Sequence, residues 1–193
     1  EPANLPVAIK IKGNGPGNLE FPETTAMVTG NDVTITDVEC SANFANEIDF
    51  FNPMSVDWKA SVGEGAFWVV AGRSTNQTYV TLGDPTAGVT LFHTVVHIGC
   101  SNADTETTED GAFDAIWREF TDRNVQRYSD GATLTYYANP DCTNVTTAEL
   151  LLNGDGQCLA WTLFFNDVLR AQSITNCTWT FVHIKIAAWF NNT

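Results

Sequence analysis

The spacing of apolar residues changes period close to residue 100, and that change constrains the fold more than any other feature of the chain. Before it, apolar residues come in short, largely alternating runs: Val7 to Lys12, Asp32 to Cys40, Val56 to Val62, Phe67 to Ala71, Thr78 to Leu82 and Val89 to Ile98. Alternation puts successive side chains on opposite faces, which is the pattern of a strand. Clusters such as Gly13-Asn14-Gly15-Pro16-Gly17 and Gly83-Asp84-Pro85 separate the runs. Short strands at this spacing predict a sandwich-like β region. After Cys100 the period lengthens. Phe113, Ile116, Trp117 and Phe120 recur at the i, i+3, i+4, i+7 spacing of one helix face. Thr107 or Thr108 is placed to cap that helix, and Glu109, Asp110 and Asp114 suit the positive end of its dipole.

Further on, Val125 to Tyr128 and Thr133 to Tyr137 flank Ser129-Asp130-Gly131-Ala132, and Asp-Gly is a strong hairpin turn pair. Thr146-Thr147-Ala148-Glu149 is a capping box opening a short helix, Ala148 to Leu152, which Asn153-Gly154-Asp155-Gly156 breaks. A second helix begins at Gln157-Cys158, with Trp161, Phe164, Phe165, Val168 and Leu169 on one face and Arg170 near its end. Trp179 to Ile186 reads as a last strand. The chain is therefore expected to be α+β, with a β-rich domain at 1–103 and an α+β domain at 104–193. The boundary is a soft one, equally readable as a change of layer within one domain.

Hydrophobic residues make up 44% of the chain and charged residues 17%, the balance of a folded body rather than a disordered one. The formal net charge of -14 repels nucleic acid and anionic membranes. No apolar run approaches the roughly 18–20 residues needed to span a bilayer, so no membrane insertion is expected. Glu1-Pro2-Ala3-Asn4 lacks the basic and apolar regions of a signal peptide, so an exported chain would already have lost its leader. Low lysine, abundant Thr and Asn, and a few scattered cysteines point to an extracellular or cell-surface location. Asn76, Asn144, Asn176 and Asn191 each open a glycosylation sequon.

Five cysteines in an oxidising compartment leave one thiol over after two bridges. Cys40 and Cys100 end two alternating runs and can staple neighbouring strands. Cys142 and Cys177 flank the helix that begins at Cys158 and can tie its ends. That pairing leaves Cys158 free; other pairings of the four, and five reduced thiols, remain open.

A cysteine that follows a glycine-rich break and opens a helix sits where unpaired N–H groups and the dipole stabilise a thiolate. The same N–H groups can serve an oxyanion, with the Gln157 amide beside them. The segment from Ala148 to Ile174 resembles the transglutaminase-like branch of the papain-like cysteine enzymes. The likeness rests on a short helix, Gly154-Asp-Gly-Gln-Cys158, the aromatic Trp161, and the exit Leu169-Arg-Ala-Gln-Ser-Ile174. Ser173 stands where that family usually has glycine. The resemblance covers about residues 127–187 and implies a helix-plus-antiparallel-sheet unit with Cys158 as nucleophile. It also implies a histidine on a later strand and an Asp or Asn to orient it. Only His183 lies downstream of Cys158, no Asp follows Asp167, and Asn191 and Asn192 lie at the very end. The triad is thus incomplete in these 193 residues, either because the chain is part of a longer polypeptide or because the machinery is lost.

His93, His97 and Cys100 carry a spacing that tempts a zinc reading. On the expected strand, Cys100 points away from the two histidines, and no metal is assigned. The acidic run from Asp104 to Asp114 lacks the spaced pattern of a calcium loop and reads as a solvated helix start. The tryptophans lie in apolar stretches and are expected in the core. No cofactor is called for. The sequence predicts an extracellular structural, surface or fibre protein carrying a non-catalytic transglutaminase-like domain, with other subunits or matrix and cell-surface components as partners. The alternative is a cysteine-dependent acyl transferase or amide hydrolase using Cys158.

Overall fold

The computed structural model describes residues 7–28, 35–36, 38–63, 67–121 and 124–178. Its elements run β1 (Val7–Asn14), β2 (Glu20–Val28), β3 (Asp49–Val62), β4 (Val69–Val80), α1 (His93–Asn102), α2 (Glu109–Thr121), β5 (Thr135–Tyr136), α3 (Thr147–Asn153), β6 (Asp155–Gly156) and α4 (Cys158–Ala171). The chain is of mixed α and β type, with the long strands first and the helices after them.

The first four strands form one antiparallel sheet in the order β2-β1-β3-β4. Gly13 is required at its centre, because a Cβ there would meet the Trp58 ring at 2.7 Å. Trp58 packs against Phe21 at 5.3 Å and donates from Nε1 to Ser74 Oγ at 2.8 Å, fixing β3 to β4. The expected strands Phe67–Ala71 and Thr78–Leu82 are one strand, β4. Its middle is polar because it is an edge that faces solvent, where Arg73 pairs with Asp57 of β3. The expected strand Asp32–Cys40 is not found among its described residues, 35–36 and 38–40. The chain just beyond it meets the sheet through Ser41, whose N–H and hydroxyl both donate to the Glu20 carbonyl.

Val89–Ile98, expected as a strand, is overturned: from His93 onward it is helix α1. Thr94, Val95, Ile98, Gly99 and Cys100 are buried, which is a helical stripe rather than an alternation. The β preference of Thr94, Val95 and Val96 is worth tenths of a kcal/mol per residue and yields to core burial. The expectation for α2 agrees with the structure, down to its cap: the Thr108 hydroxyl accepts the Gly111 N–H at 3.2 Å. So does the capping box of α3, where Thr146 and Glu149 satisfy each other's backbone N–H groups.

The expected hairpin at 125–137 is cut short after one bridge, Gln126 to Thr133. Thr135 and Tyr136 pair instead, in parallel, with Asp155 and Gly156. The Asp155 carboxylate draws them there, accepting from the Thr135 hydroxyl and from the N–H groups of Ala138 and Asn139.

A single core cluster extends from Ile48 through α1, α2 and α3 to Leu169 of α4 and Ile174. Phe164 lies within it, fully buried. None of the four described tryptophans, expected in the core, is buried in it: Trp58, Trp68 and Trp161 are half-buried, Trp161 packing against the cluster, and Trp117 is exposed. Their size makes complete burial rare. Among the described residues no helix is long and apolar enough to cross a membrane. The expected final strand Trp179–Ile186 lies outside the described residues.

Candidate functional site

The helix mouth at Cys158 is built by the glycine-rich break before it. Gly154 closes α3 in the left-handed region at φ 76°, with its N–H donating to Leu150 O. Gly156 is buried between the two helices, where a Cβ would stand 3.0 Å from both Ala160 Cβ and Leu150 Cδ1. The Thr147 hydroxyl donates to Asp167 at 2.6 Å and ties α3 to α4. Gly154-Asp155-Gly156 is therefore a packing joint, and α4 can start only where it does.

Cys158 is the first residue of α4 and is exposed. Gln157 is the N-cap, but its side chain makes no capping bond. Its Nε2 donates instead to the Cys142 carbonyl at 2.6 Å. The Thr162 hydroxyl donates to the Cys158 carbonyl one turn on. Asp155, beside this mouth, loses some hydration, which raises its pKa. The N–H groups of Ala138 and Asn139 and the Thr135 hydroxyl outweigh that and hold the carboxyl below its ordinary value. His183 and Asn191 lie outside the described residues.

The other four cysteines are unbridged as well. Cys100 is on α1 rather than at a strand end. Its buried sulfur stands 3.6 Å from Val80 O and accepts Gln172 Nε2 at 3.2 Å. Burial pushes that thiol up to about 11, the Gln172 hydrogen bond opposing and the nearby Asp104 and Asp49 adding to the rise. Cys142 is buried, while Cys40 and Cys177 are half-buried. Of the sequons, Asn76 is exposed on β4. The Asn144 amide donates to Asp155 O at 2.8 Å and accepts from Asn153, and Asn176 donates to Glu109.

A second constellation joins His93 and His97 to tyrosines that the sequence did not connect with them. His93 and His97 lie one turn apart on α1, and Tyr79 of β4 stands between them. Its hydroxyl is 2.8 Å from His93 Nε2 and 3.4 Å from His97 Nδ1. Tyr128 covers both imidazoles at ring distances of 4.3 and 4.0 Å, and Phe50 stacks on Tyr79 at 5.0 Å. A polar cleft of about 420 Å³ opens beside His97, with Ser101, Asn102 and Gln126 in its wall. The signal that could have found this cluster was the His-x3-His spacing, had the segment been read as helix.

On a helix, Cys100 falls nearer the face of the two histidines than it would on a strand. It is nevertheless committed to Val80 and Gln172, and among the described residues no group of three His, Cys, Asp or Glu is set to hold a metal ion.

Desolvation raises Tyr79 to about 12, helped by repulsion from ionised Tyr128 and Cys100. Desolvation also lowers His97, with His93 adding to the effect. An imidazole held below its ordinary value of about 6.5 binds fewer protons folded than unfolded, so its stabilising share is complete above that pH and is lost as pH falls below it. Wild type is expected to lose more of its urea midpoint between about pH 7.5 and about pH 5.5 than His97→Gln. Parallel losses in the two proteins would deny His97 this part.

Compared with protein-family models, with curated proteins and with solved structures, the chain matches none of them.

Proposed function

We propose that this is an exported structural protein of a surface or fibre. In this reading a β-sandwich-like N-terminal region precedes a transglutaminase-like unit whose cysteine does no chemistry, and the partners are other subunits or matrix components. One observation carries the non-catalytic part: the groups around the thiol are spent on architecture. Gln157 holds the Cys142 carbonyl, and the glycines on either side of Asp155 seat α3 against α4. The net charge of -14 and the sequons support export to a surface.

A second reading, a cysteine-dependent acyl transferase or amide hydrolase, is favoured by one feature. The first turn of α4 has no side-chain cap, so its N–H groups are available beside an exposed sulfur. His183 would then be its base.

Alkylation of Cys158 by iodoacetamide as a function of pH separates the two. In the structural reading its rate at each pH is no greater than that of N-acetylcysteine measured beside it, and His183→Ala leaves it unchanged. A rate already at its plateau at about pH 6, and displaced upward by His183→Ala, would replace the structural reading with the catalytic one.

A further inference from the structure

Between α2, the opening turns of α4 and the segment around β5 lies a recess of about 720 Å³, within the range of small-molecule sites. Among the described residues five aromatics line it: Trp117, Phe120, Tyr136, Trp161 and Phe165. Neighbouring rings stand steeply to one another. The angle is 69° between Trp117 and Phe165, 72° between Phe120 and Phe165, and 90° between Phe120 and Trp161. Trp161 is pinned in place by its Nε1 donation to Thr135 O. Trp117 and Tyr136 keep 49% and 60% of their surface exposed, so the rings are reachable.

Walls set at such angles cannot all stack on one flat ligand. They suit a compact, rounded group that meets several ring faces and edges at once. Among the described residues no charged side chain lines it. One hydrogen bond behind the wall, however, sits the Asp155 carboxylate, reached through the Thr135 hydroxyl and the Ala138 N–H, each at 3.0 Å. Its donors among the described residues are neutral groups, which supply no counter-cation to that network. The chain as a whole carries -14. Aromatic faces are negative at their centres and attract cations, most of all weakly hydrated ones.

We propose that this recess is an aromatic cage for a small organic cation of the quaternary-ammonium class, independent of Cys158. The cage supplies ring faces, Asp155 the long-range charge, and the net acidity draws the ligand in.

The test titrates the full chain with choline and, separately, with 3,3-dimethylbutan-1-ol, which has nearly the same shape and no charge. Tryptophan fluorescence and indole Nε1 resonances are the readouts. Choline is expected to bind saturably, and the neutral isostere about tenfold more weakly or worse. Trp117→Leu and, separately, Tyr136→Leu are each expected to weaken choline by several-fold. Both residues are substantially exposed, so either variant serves if the other fails to fold. Equal affinity for choline and its isostere would mean a merely apolar recess and overturn the proposal. Absence of saturable choline binding would overturn it too, as expected if the recess is filled by other residues of the chain or by a second copy. Two folded variants that bind choline as wild type does would likewise sink it.

Discussion

Phe164→Ala is expected to lower the unfolding free energy by about 3–5 kcal/mol. Phe164 is fully buried at the middle of α4, with Phe120 at 5.4 Å and Trp161 at 6.1 Å. Removing the ring loses its transfer energy and leaves a cavity in the core. A natural domain has only about 5–15 kcal/mol to lose, so the variant forfeits a large share of its stability. Urea unfolding followed by far-UV circular dichroism measures this directly. A midpoint within error of wild type would mean that the cluster around Phe164 is not the core of the molecule.

The second large effect concerns Gln172, a fully buried polar residue where α4 ends. Its Oε1 accepts the Leu82 N–H at 3.1 Å and its Nε2 donates to Cys100 Sγ at 3.2 Å. Gly99 of α1 leaves it room, since a Cβ there would stand 2.6 Å from Nε2. Gln172→Ala leaves a backbone N–H unpaired and opens a hole, for a loss of about 3 kcal/mol. Gly99→Ala alone overpacks the same place and costs about 1–3 kcal/mol. The two changes answer each other. In the double variant the new methyl enters the vacated space, and the combined loss should fall short of the sum by about 1 kcal/mol or more. Strict additivity in urea unfolding would show that Gly99 and Gln172 do not share a site.

The parts of the fold that were legible in the sequence are those specified by local chemistry. The Thr146 and Glu149 capping box and the left-handed Gly154 mark both ends of α3, because each satisfies backbone groups within a few residues. The apolar face of α2 repeats over three turns and admits one reading. Helix α1 was hidden because its β-branched residues favour a strand, while the cause of its helicity lies far along the chain, in α4 and Gln172. The truncated hairpin failed for the same reason: its partner, Asp155, is 20 residues beyond Thr135. At the candidate site, the sequence placed Cys158 at the start of a helix after a break, as found. It could not foresee where the Gln157 amide points, which Cys142 decides. In the His93, His97, Tyr79 and Tyr128 cluster the local signature covers only the two histidines, while the tyrosines come from distant parts of the chain.

Acid should therefore act on two parts of the molecule in different ranges. The carboxylate that arranges the strand pair and loop before Cys158 keeps its charge well below neutrality, since backbone amides hold it. His97, on α1 beside Tyr79 of the sheet, has its pKa lowered by burial, so it stays neutral at neutral pH and takes up its proton in acid. Passage through a weakly acidic compartment would ease the seam between sheet and helices while the thiol-bearing end kept its shape.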